Sequence, residues 1–435
     1  MSKLQELIQA LCPDGVPHLP IKEIASCYAG ATPKTTVKEY WDSGNIPWMS
    51  SGEVNKQIIT ETENFITQAG FDSCSTKMVP ANSVVIALAG QGKTRGLVAL
   101  TKIDLCTNQS LCAIVPNAQM NSSFLYHFLG SQYQKLRTVS SGDGTRGGLN
   151  LQMINSYVVP VPPIEVQDEI AKILDRFADY AAELQAELQA RKEQYEYYRN
   201  LLLTFNPSAC GCGTDGEQEI KVTNTPPGSY QTTWKTMGEI GKFFGGLTGK
   251  SKADFSNGNA RFISYMNVYS NIALNQSANE FVRILPNEKQ NVLRYGDALF
   301  TGSSETPDEC GMSSVVTAEP KEPLYLNSFS FGFRLDDNSI YHPDFLKHLL
   351  RSSAIRAQIA KTANGVTRFN VSKALFAKVI LPIPPIELQV KIANILDRFE
   401  TLVNDLTQGL PAEIAAVKEQ YEYYRNKLLT FKKAS

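Results

Sequence analysis

The chain is short of several things, and each shortage narrows what it can do. It carries four histidines in 435 residues, and none accompanies a CxxC pair. The tightest cysteine spacing, Cys210-x-Cys212, is too close for a zinc knuckle, so the eight cysteines read as free thiols in a reducing compartment. No apolar run approaches the roughly 18 residues of a membrane span. The start, MSKLQELIQALCPDGVP, lacks the basic and apolar blocks of a secretory signal, which points to the cytoplasm. Net charge is scarce as well: 42 basic against 43 acidic side chains give a formal −1. Nucleic acid is therefore not held by bulk positive charge, and any basic surface must be local.

Signatures of catalysis are also missing. GGLTGKS at residues 245–251 hints at a phosphate loop, but that motif needs a glycine where Phe244 stands. The loop at Gly92-Lys93-Thr94 fails likewise, with Ala87 at the required position. No GxGxxG follows a strand pattern, and there is no HExxH. Nor is there an Asn- or Asp-Pro-Pro-aromatic tetrapeptide of the kind an amino-group methyltransferase uses; Asn206-Pro207-Ser208 stops one proline short. No catalytic or metal-ligating set emerges.

What is present occurs twice. Residues 160–177 read PVPPIEVQDEIAKILDRF and residues 382–399 read PIPPIELQVKIANILDRF. Each leads to KEQYEYYRN, at Lys192 and at Lys418. Such matches identify an internal duplication. The repeat has the pattern of a long helix entered at a proline (Pro163), with Glu165 at the positive end. Its apolar seam runs Ile170, Leu174, Phe177, Ala181, Leu184, Leu188, Tyr195, Tyr198 and Leu202, with Arg191 the one polar entry. Steps of four and three predict a coiled coil. The second seam runs Ile392, Leu396, Phe399, Val403, Leu406 and Leu410. It then inserts a four-residue step to Ile414 before Val417, Tyr421, Tyr424 and Leu428. Such a stutter beside Gly409-Leu410-Pro411 predicts a bend or break. About forty residues would make a rod of roughly 60 Å. A hairpin buried in one core fits poorly with the polar AAELQAELQARKEQ.

The length suits two or three domains, and 43% apolar with 20% charged residues describes a soluble globular protein. Both globular parts show the same events in the same order. A strand-like run (residues 83–88 or 297–301) enters a loop, AGQGKTRG or TGSSETPDECG. A second run follows Asn108 or Asn327, then an amphipathic helix, NSSFLYHFLGSQYQKLR or HPDFLKHLLRSSAIRAQI. A Thr-Arg loop (Thr145-Arg146 or Thr367-Arg368) leads to a last strand and the proline entry. The expected class is α+β, a pseudo-twofold repeat of two similar globular domains separated by two long antiparallel coiled-coil helices. The expected divisions are 1–160 (first globule with an N-terminal arm), 161–205 (central helix), 206–230 (flexible linker), 231–382 (second globule) and 383–435 (C-terminal helix).

Nucleic-acid features are local. The loops at residues 89–96 and 142–148 pair glycines with Gln91, Lys93, Thr94, Arg95, Thr145 and Arg146, side chains suited to reading guanine and adenine in a groove. The second globule offers Ser303, Ser304 and Thr367. Residues 345–386 also contain Lys347, Arg351, Arg356, Lys361, Arg368, Lys373 and Lys378 with no acid, either a solvated face or a phosphate-contacting patch.

The doubled PxPPIExQxxIAxILDRF…KEQYEYYRN block between two related globules closely resembles the specificity subunit of type I restriction-modification systems. AAELQAELQA in the first copy, with GLPAEI in the second, looks like the type IC branch. The resemblance implies two target recognition domains, each reading one half of a bipartite site in double-stranded DNA. It implies helices that dock two modification subunits and set the half-site spacing, with motor-nuclease subunits joining through that core. S-adenosylmethionine, ATP and magnesium would belong to those partners and no cofactor to this chain, which would not be an enzyme by itself. Two other readings are a two-headed adaptor that binds proteins and an orphan methyltransferase, the latter disfavoured by the missing motifs.

Overall fold

In a computed structural model, which describes residues 3–90, 94–139, 148–205, 218–220, 230–277, 279–405 and 409–434, the first repeat forms one helix, Ile164–Leu203, of 40 residues. Pro163 lies just outside it, accepting from Val166 N at 2.9 Å and Gln167 N at 3.1 Å, where its missing N–H costs nothing. The second repeat breaks into Ile386–Asn404 and Leu410–Leu428. Gly409 sits in the break: a Cβ there would stand 2.5 Å from Thr401 O and 2.8 Å from Leu402 O, so only glycine fits. Pro411 opens the new helix, where proline is tolerated. Leu406 and most of residues 206–230, read above as a linker, lie outside the described residues.

The chain folds into two units, residues 1–185 with 413–435, and residues 186–412. The central helix gives its first half to unit 1 and its second half to unit 2. Unit 1 holds a five-stranded sheet in the order Ala25–Ala29, Leu111–Pro116, Val84–Ala87, Val98–Thr101, Ile58–Ile59. Unit 2 holds a four-stranded sheet in the order Gly241–Gly245, Ser330–Leu335, Ala298–Thr301, Ser313–Val315. Each adds a small mixed sheet of one antiparallel and one parallel pair, centred on Ile46–Met49 or Ala260–Ile263. Both units are α+β, and the order of four main-sheet strands is the same in each, as the duplication requires; unit 1 adds Ile58–Ile59 at the edge.

One local expectation is corrected and two are refined. Each amphipathic helix is two: Ser122–Ser131 and Tyr133–Val139 in unit 1, Pro343–Leu349 and Ser353–Ala360 in unit 2. In unit 2 the break is Ser352, which is extended and turns its hydroxyl back to Leu349 O at 2.7 Å. The N-terminal arm is a helix, Lys3–Leu11, with Leu4 buried in the unit 1 core. The turn after it holds Gly15 at φ 101°, where a Cβ would meet Lys432 O at 2.6 Å. Finally, the apolar seam is not only helix against helix. Ile170 and Leu174 belong to the core cluster of unit 1, with Phe124, Leu125 and Phe128, and Ile392 and Leu396 to that of unit 2, with Phe345 and Leu349. Helix-to-helix stacking appears further along, with Phe177 on Tyr424 at 5.4 Å in unit 1 and Tyr198 on Phe399 at 5.5 Å in unit 2. Leu184, Tyr195 and Val403 are buried, Leu188, Leu202, Tyr421 and Leu428 half-buried, and Tyr424 keeps 38% of its surface exposed.

The glutamine of each PPIExQ motif fastens helix to globule. Gln389 is wholly buried; its Oε1 accepts from His342 N at 2.9 Å, and its Nε2 donates to Ile340 O at 2.9 Å and Pro384 O at 2.8 Å. Gln167 does the same with Asn121 N, Gln119 O and Pro162 O. A side-chain amide supplies the one acceptor and two donors that this position uses. Gln389→Ala should destabilise unit 2 by about 2–4 kcal/mol, because it leaves three buried backbone groups unpaired. Gln389→Glu should cost at least as much at pH 8, since it aims a carboxylate at two carbonyls. Urea unfolding of both variants checks this; a Glu variant as stable as the parent contradicts it.

Candidate nucleic-acid interface

Each globule is mounted on the helices through one histidine. In unit 2, His348 is fully buried, with Nε2 2.6 Å from Asp397 Oδ1 and Nδ1 3.2 Å from the Tyr195 hydroxyl. In unit 1, His127 Nε2 lies 2.8 Å from Asp175 Oδ1 and Nδ1 2.9 Å from the Tyr421 hydroxyl. The aspartates come from the two ILDRF blocks and the tyrosines from the two KEQYEYYRN blocks. An arginine one turn on covers each tyrosine ring, Arg199 at 5.3 Å and Arg425 at 5.2 Å. A carboxylate can only accept, so in unit 2 Nε2 carries the proton and Nδ1 accepts from Tyr195. None of these roles was read from the sequence; the signal available was that the tyrosines, aspartates and glutamines recur at matching repeat positions.

The surrounds of the two histidines differ. Beside His348 stands Lys347, with Nζ 2.9 Å from Asp397, 3.3 Å from Asp344 and 3.8 Å from Glu400. Tyr126 precedes His127 and is pushed up by burial. Oxygens and nitrogen of His348, Asp397 and Glu400 lie within 4.8 Å of one another. The Lys347 ammonium already occupies both carboxylates, which makes the cluster an ion-pair network rather than a cation site.

The mounting carries a loop cluster. In unit 2 the strand Ser303–Ser304 pairs with Phe369–Val371, which forms a hairpin with Ala363–Asn364. This joins two loops that the sequence named separately. Arg368 donates through Nε and Nη2 to Ser303 Oγ at 3.1 and 2.9 Å, and Thr367 beside it is exposed. Lys373 is exposed, its Nζ 5.4 Å from the Phe331 ring centre, and Lys361 is exposed at the end of the helix Ser353–Ala360. Glu309, which sequence reading passed over, accepts hydroxyls from Tyr269 at 2.9 Å, Thr306 at 3.1 Å and Ser304 at 3.2 Å. These bonds, that from Tyr269 foremost, hold its carboxyl below the ordinary range.

The run of seven cations divides. Lys347, Arg351 and Arg356 are structural, which corrects the reading of the stretch as one phosphate-contacting patch. Arg356 donates to Gly311 O at 2.6 Å, Cys310 O at 2.6 Å and Asp308 O at 2.7 Å. Arg351 reaches Ser313 O and Tyr269 O, each at 2.8 Å, and burial brings its pKa down to about 10. Carbonyl groups that turn a loop inward need donors, and these guanidinium groups supply them. Lys361, Arg368, Lys373 and Lys378 remain exposed.

Unit 1 repeats the frame. Leu88 N bonds Ser110 O at 2.8 Å and Leu149 N bonds Leu88 O at 2.9 Å. In unit 2 Gly302 N bonds Phe329 O at 2.8 Å and Val371 N bonds Gly302 O at 3.0 Å. Thr145 and Arg146 therefore precede Leu149 in the chain as Thr367 and Arg368 precede Val371, but they, Gln91 and Lys93 lie outside the described residues. Thr94 and Arg95 are half-buried in the turn between the strands Val84–Ala87 and Val98–Thr101.

The family described as "Type I restriction modification DNA specificity domain" matches the chain twice, over residues 13–193 and 231–416. The chain belongs to this family. It is 30% identical to the specificity subunit of the Escherichia coli EcoR124I/EcoR124II type I restriction enzyme, over all of this chain and 98% of that protein. It is 27% identical to a putative type I specificity subunit of Haemophilus influenzae, covering 95% of this chain and 94% of the other. Among solved structures, one chain from a study of assembly and conformational transition of the type I restriction-modification system superposes with a TM-score of 0.57 at 16% identity, covering 96% and 98% of the two chains. The S subunit from M. genitalium gives 0.52 at 14%, covering 95% and 96%; at such identities these likenesses speak for the fold.

The mounting of unit 2 should respond to acid. Burial holds the His348 pKa below its ordinary value. The stability it contributes is complete above the unfolded value of about 6.5 and is lost as pH falls below it. Burial raises Asp397, but bonds from His348 and Lys347 outweigh it, so the net direction is down and its loss comes only below about 3.8. Glu400 is raised, chiefly by burial, and its protonation works in the opposite direction. The protection factors of the helix Pro343–Leu349, that is, exchange corrected for the intrinsic pH dependence of free amides, should therefore fall as pH drops from 7.5 to 5.5. His348→Gln should flatten that response and Glu400→Gln should steepen it; an unchanged profile in both contradicts the assignment.

Proposed function

We infer that this chain is the DNA sequence-specificity subunit of a type I restriction-modification complex, with each recognition unit reading one half of a bipartite, asymmetric target. The observation that carries this is one scaffold used twice, with matching backbone bonds and mounting but different exposed side chains. A chain that read one symmetrical site would have no need to vary them. The duplication also gives each unit equivalent exposed apolar side chains on its helices, Ile164 and Tyr423 in unit 1 and Ile386 and Tyr197 in unit 2. They suit two copies of a modification subunit, and motor-nuclease subunits would join through that core. Methyl transfer from S-adenosylmethionine to adenine, and ATP- and magnesium-dependent translocation and cleavage, would be the work of those partners. This chain would supply the address, in the cytoplasm. Among its described residues no helix is long and apolar enough to cross a membrane.

Arg368, Thr367, Ser303, Ser304, Lys361 and Lys373 are the DNA-contacting residues of unit 2 in this reading. In unit 1 they are Gln91, Lys93, Thr94, Arg95, Thr145 and Arg146. Arg368→Ala in the reconstituted complex should lower affinity for the cognate duplex roughly tenfold, within the range for one well-placed arginine. Loss confined to one base position marks base readout, whereas a uniform loss with a salt slope shallower by about 0.9 marks a phosphate contact. Unchanged affinity and preference would remove Arg368 from the interface.

The central helix passes from unit 1 to unit 2, so its length should enter the spacing of the half-sites. One added four-residue unit in AAELQAELQ lengthens a helix by about 6 Å, or one to two base pairs at about 3.4 Å each. Both half-site sequences should persist while the spacer grows. Mapping the methylated motif of the insertion variant decides this: full activity with an unaltered spacer refutes the helix as the ruler.

A further inference from the structure

The two units hold the same tight turn at the lip of the loop cluster and put different residues on it. In unit 2, Asn327 Oδ1 accepts from Phe329 N at 2.9 Å; in unit 1, Asn108 Oδ1 accepts from Ser110 N at 3.0 Å. Phe329 O then receives Gly302 N, and Ser110 O receives Leu88 N, each at 2.8 Å. Position 329 in one unit is therefore position 110 in the other, bond for bond.

The two side chains have opposite chemistry. Phe329 leaves 65% of its surface in solvent, although a phenyl ring is a side chain that folding ordinarily removes from water. Ser110 is half-buried and small. Phe329 is not needed to form the turn, because serine forms the same turn with the same bonds. Its backbone bond ties the turn to the Arg368 loop. Gly302, bonded to it, precedes Ser303, whose hydroxyl holds the Arg368 guanidinium, and Val366, 91% exposed, tips the adjoining hairpin. An arginine set beside exposed apolar groups matches the major-groove edge of DNA. There guanine offers two acceptors and thymine a methyl group.

We propose that the turn position Ser110/Phe329 is a specificity-determining position of the recognition units, and that Phe329 reads a thymine C5-methyl beside the base or phosphate contacted by Arg368. This rests on the DNA-specificity reading above. Ser110 gives unit 1 a hydroxyl at the same place, which can donate to or accept from a base edge, so the two units read different bases from one backbone.

The test uses the full chain reconstituted with its modification partner. Methylated motifs are mapped for the parent, Phe329→Ser, Phe329→Leu and Ser110→Phe. Phe329→Ser should relax or change one base position in one half-site and leave the other half intact. Phe329→Leu, which keeps an apolar group, should retain the parental motif. Ser110→Phe should alter only the opposite half-site, and it decides the matter alone should Phe329→Ser fail to assemble. On oligonucleotides, deoxyuridine in place of the thymine concerned should slow parental methylation roughly fourfold, the worth of one buried methyl. It should not slow the Phe329→Ser complex. The proposal is overturned by a Phe329→Ser complex that methylates the parental motif at full rate, or by changes in both halves together. It is also overturned by a unit 2 half-site without thymine on either strand, or by equal sensitivity to deoxyuridine in both complexes. A parental complex that methylates no bipartite motif sinks the DNA-specificity reading itself, a result distinct from all of these.

Discussion

Everything in each unit depends on a buried imidazole that needs two partners from two places in the chain. His348 is supplied by its globule, Asp397 by the helix that follows that globule, and Tyr195 by the other repeat. His127, Asp175 and Tyr421 meet in the same way. An unpaired imidazole at such depth is expensive, and a low-dielectric surround makes each satisfied bond stronger. The arrangement therefore favours one orientation of globule on helix over its neighbours. Loops that read base edges need that: an arginine fork is useful only if the body behind it holds still.

Much of the helical framework was legible, because a heptad period and a proline entry are local signals. The stutter and Gly409-Leu410-Pro411 correctly announced the break between Asn404 and Leu410. The strands at Val84–Ala87 and Ala298–Thr301 followed from apolar runs ahead of glycine- and serine-rich loops. What could not be read was which cations face inward. The pattern put Arg351 and Arg356 on an amphipathic helix and Arg368 in a loop, but did not show that carbonyls of residues 308–313 would face the first two; only the fold sets them there. His127 and His348 escaped notice because their partners are separated by 48 or more residues. Arg368 and Ser303, picked from separate loops, proved to touch, whereas Arg146, the counterpart of Arg368, lies beyond what the structure describes.

The two units also show how far a duplicated scaffold can drift without losing its frame. Lys347 in one takes the place of Tyr126 in the other, next to the histidine. One unit closes this corner with an ammonium shared among carboxylates, the other with a half-buried phenol. Glutamine clamp, histidine clamp and Asx turn stay fixed while their surrounds change. Bonds that set backbone geometry are hard to replace one at a time, and side chains that only fill space or face water are not.

The division of the chain into residues 186–412 and a unit made from both of its outer parts has a consequence for biosynthesis. Unit 2 is one continuous stretch and holds all its own partners by the time Ala412 has been made. Unit 1 is made first but lacks Tyr421, Leu429 and the strand-like bridge from Val16 to Lys433 until residues 413–434 follow. Its histidine and tyrosine are 294 residues apart. Closing so long a loop is slow relative to local folding. The unit synthesised first is thus the one finished last, and during translation its open helix face is the surface that a chaperone would have to cover.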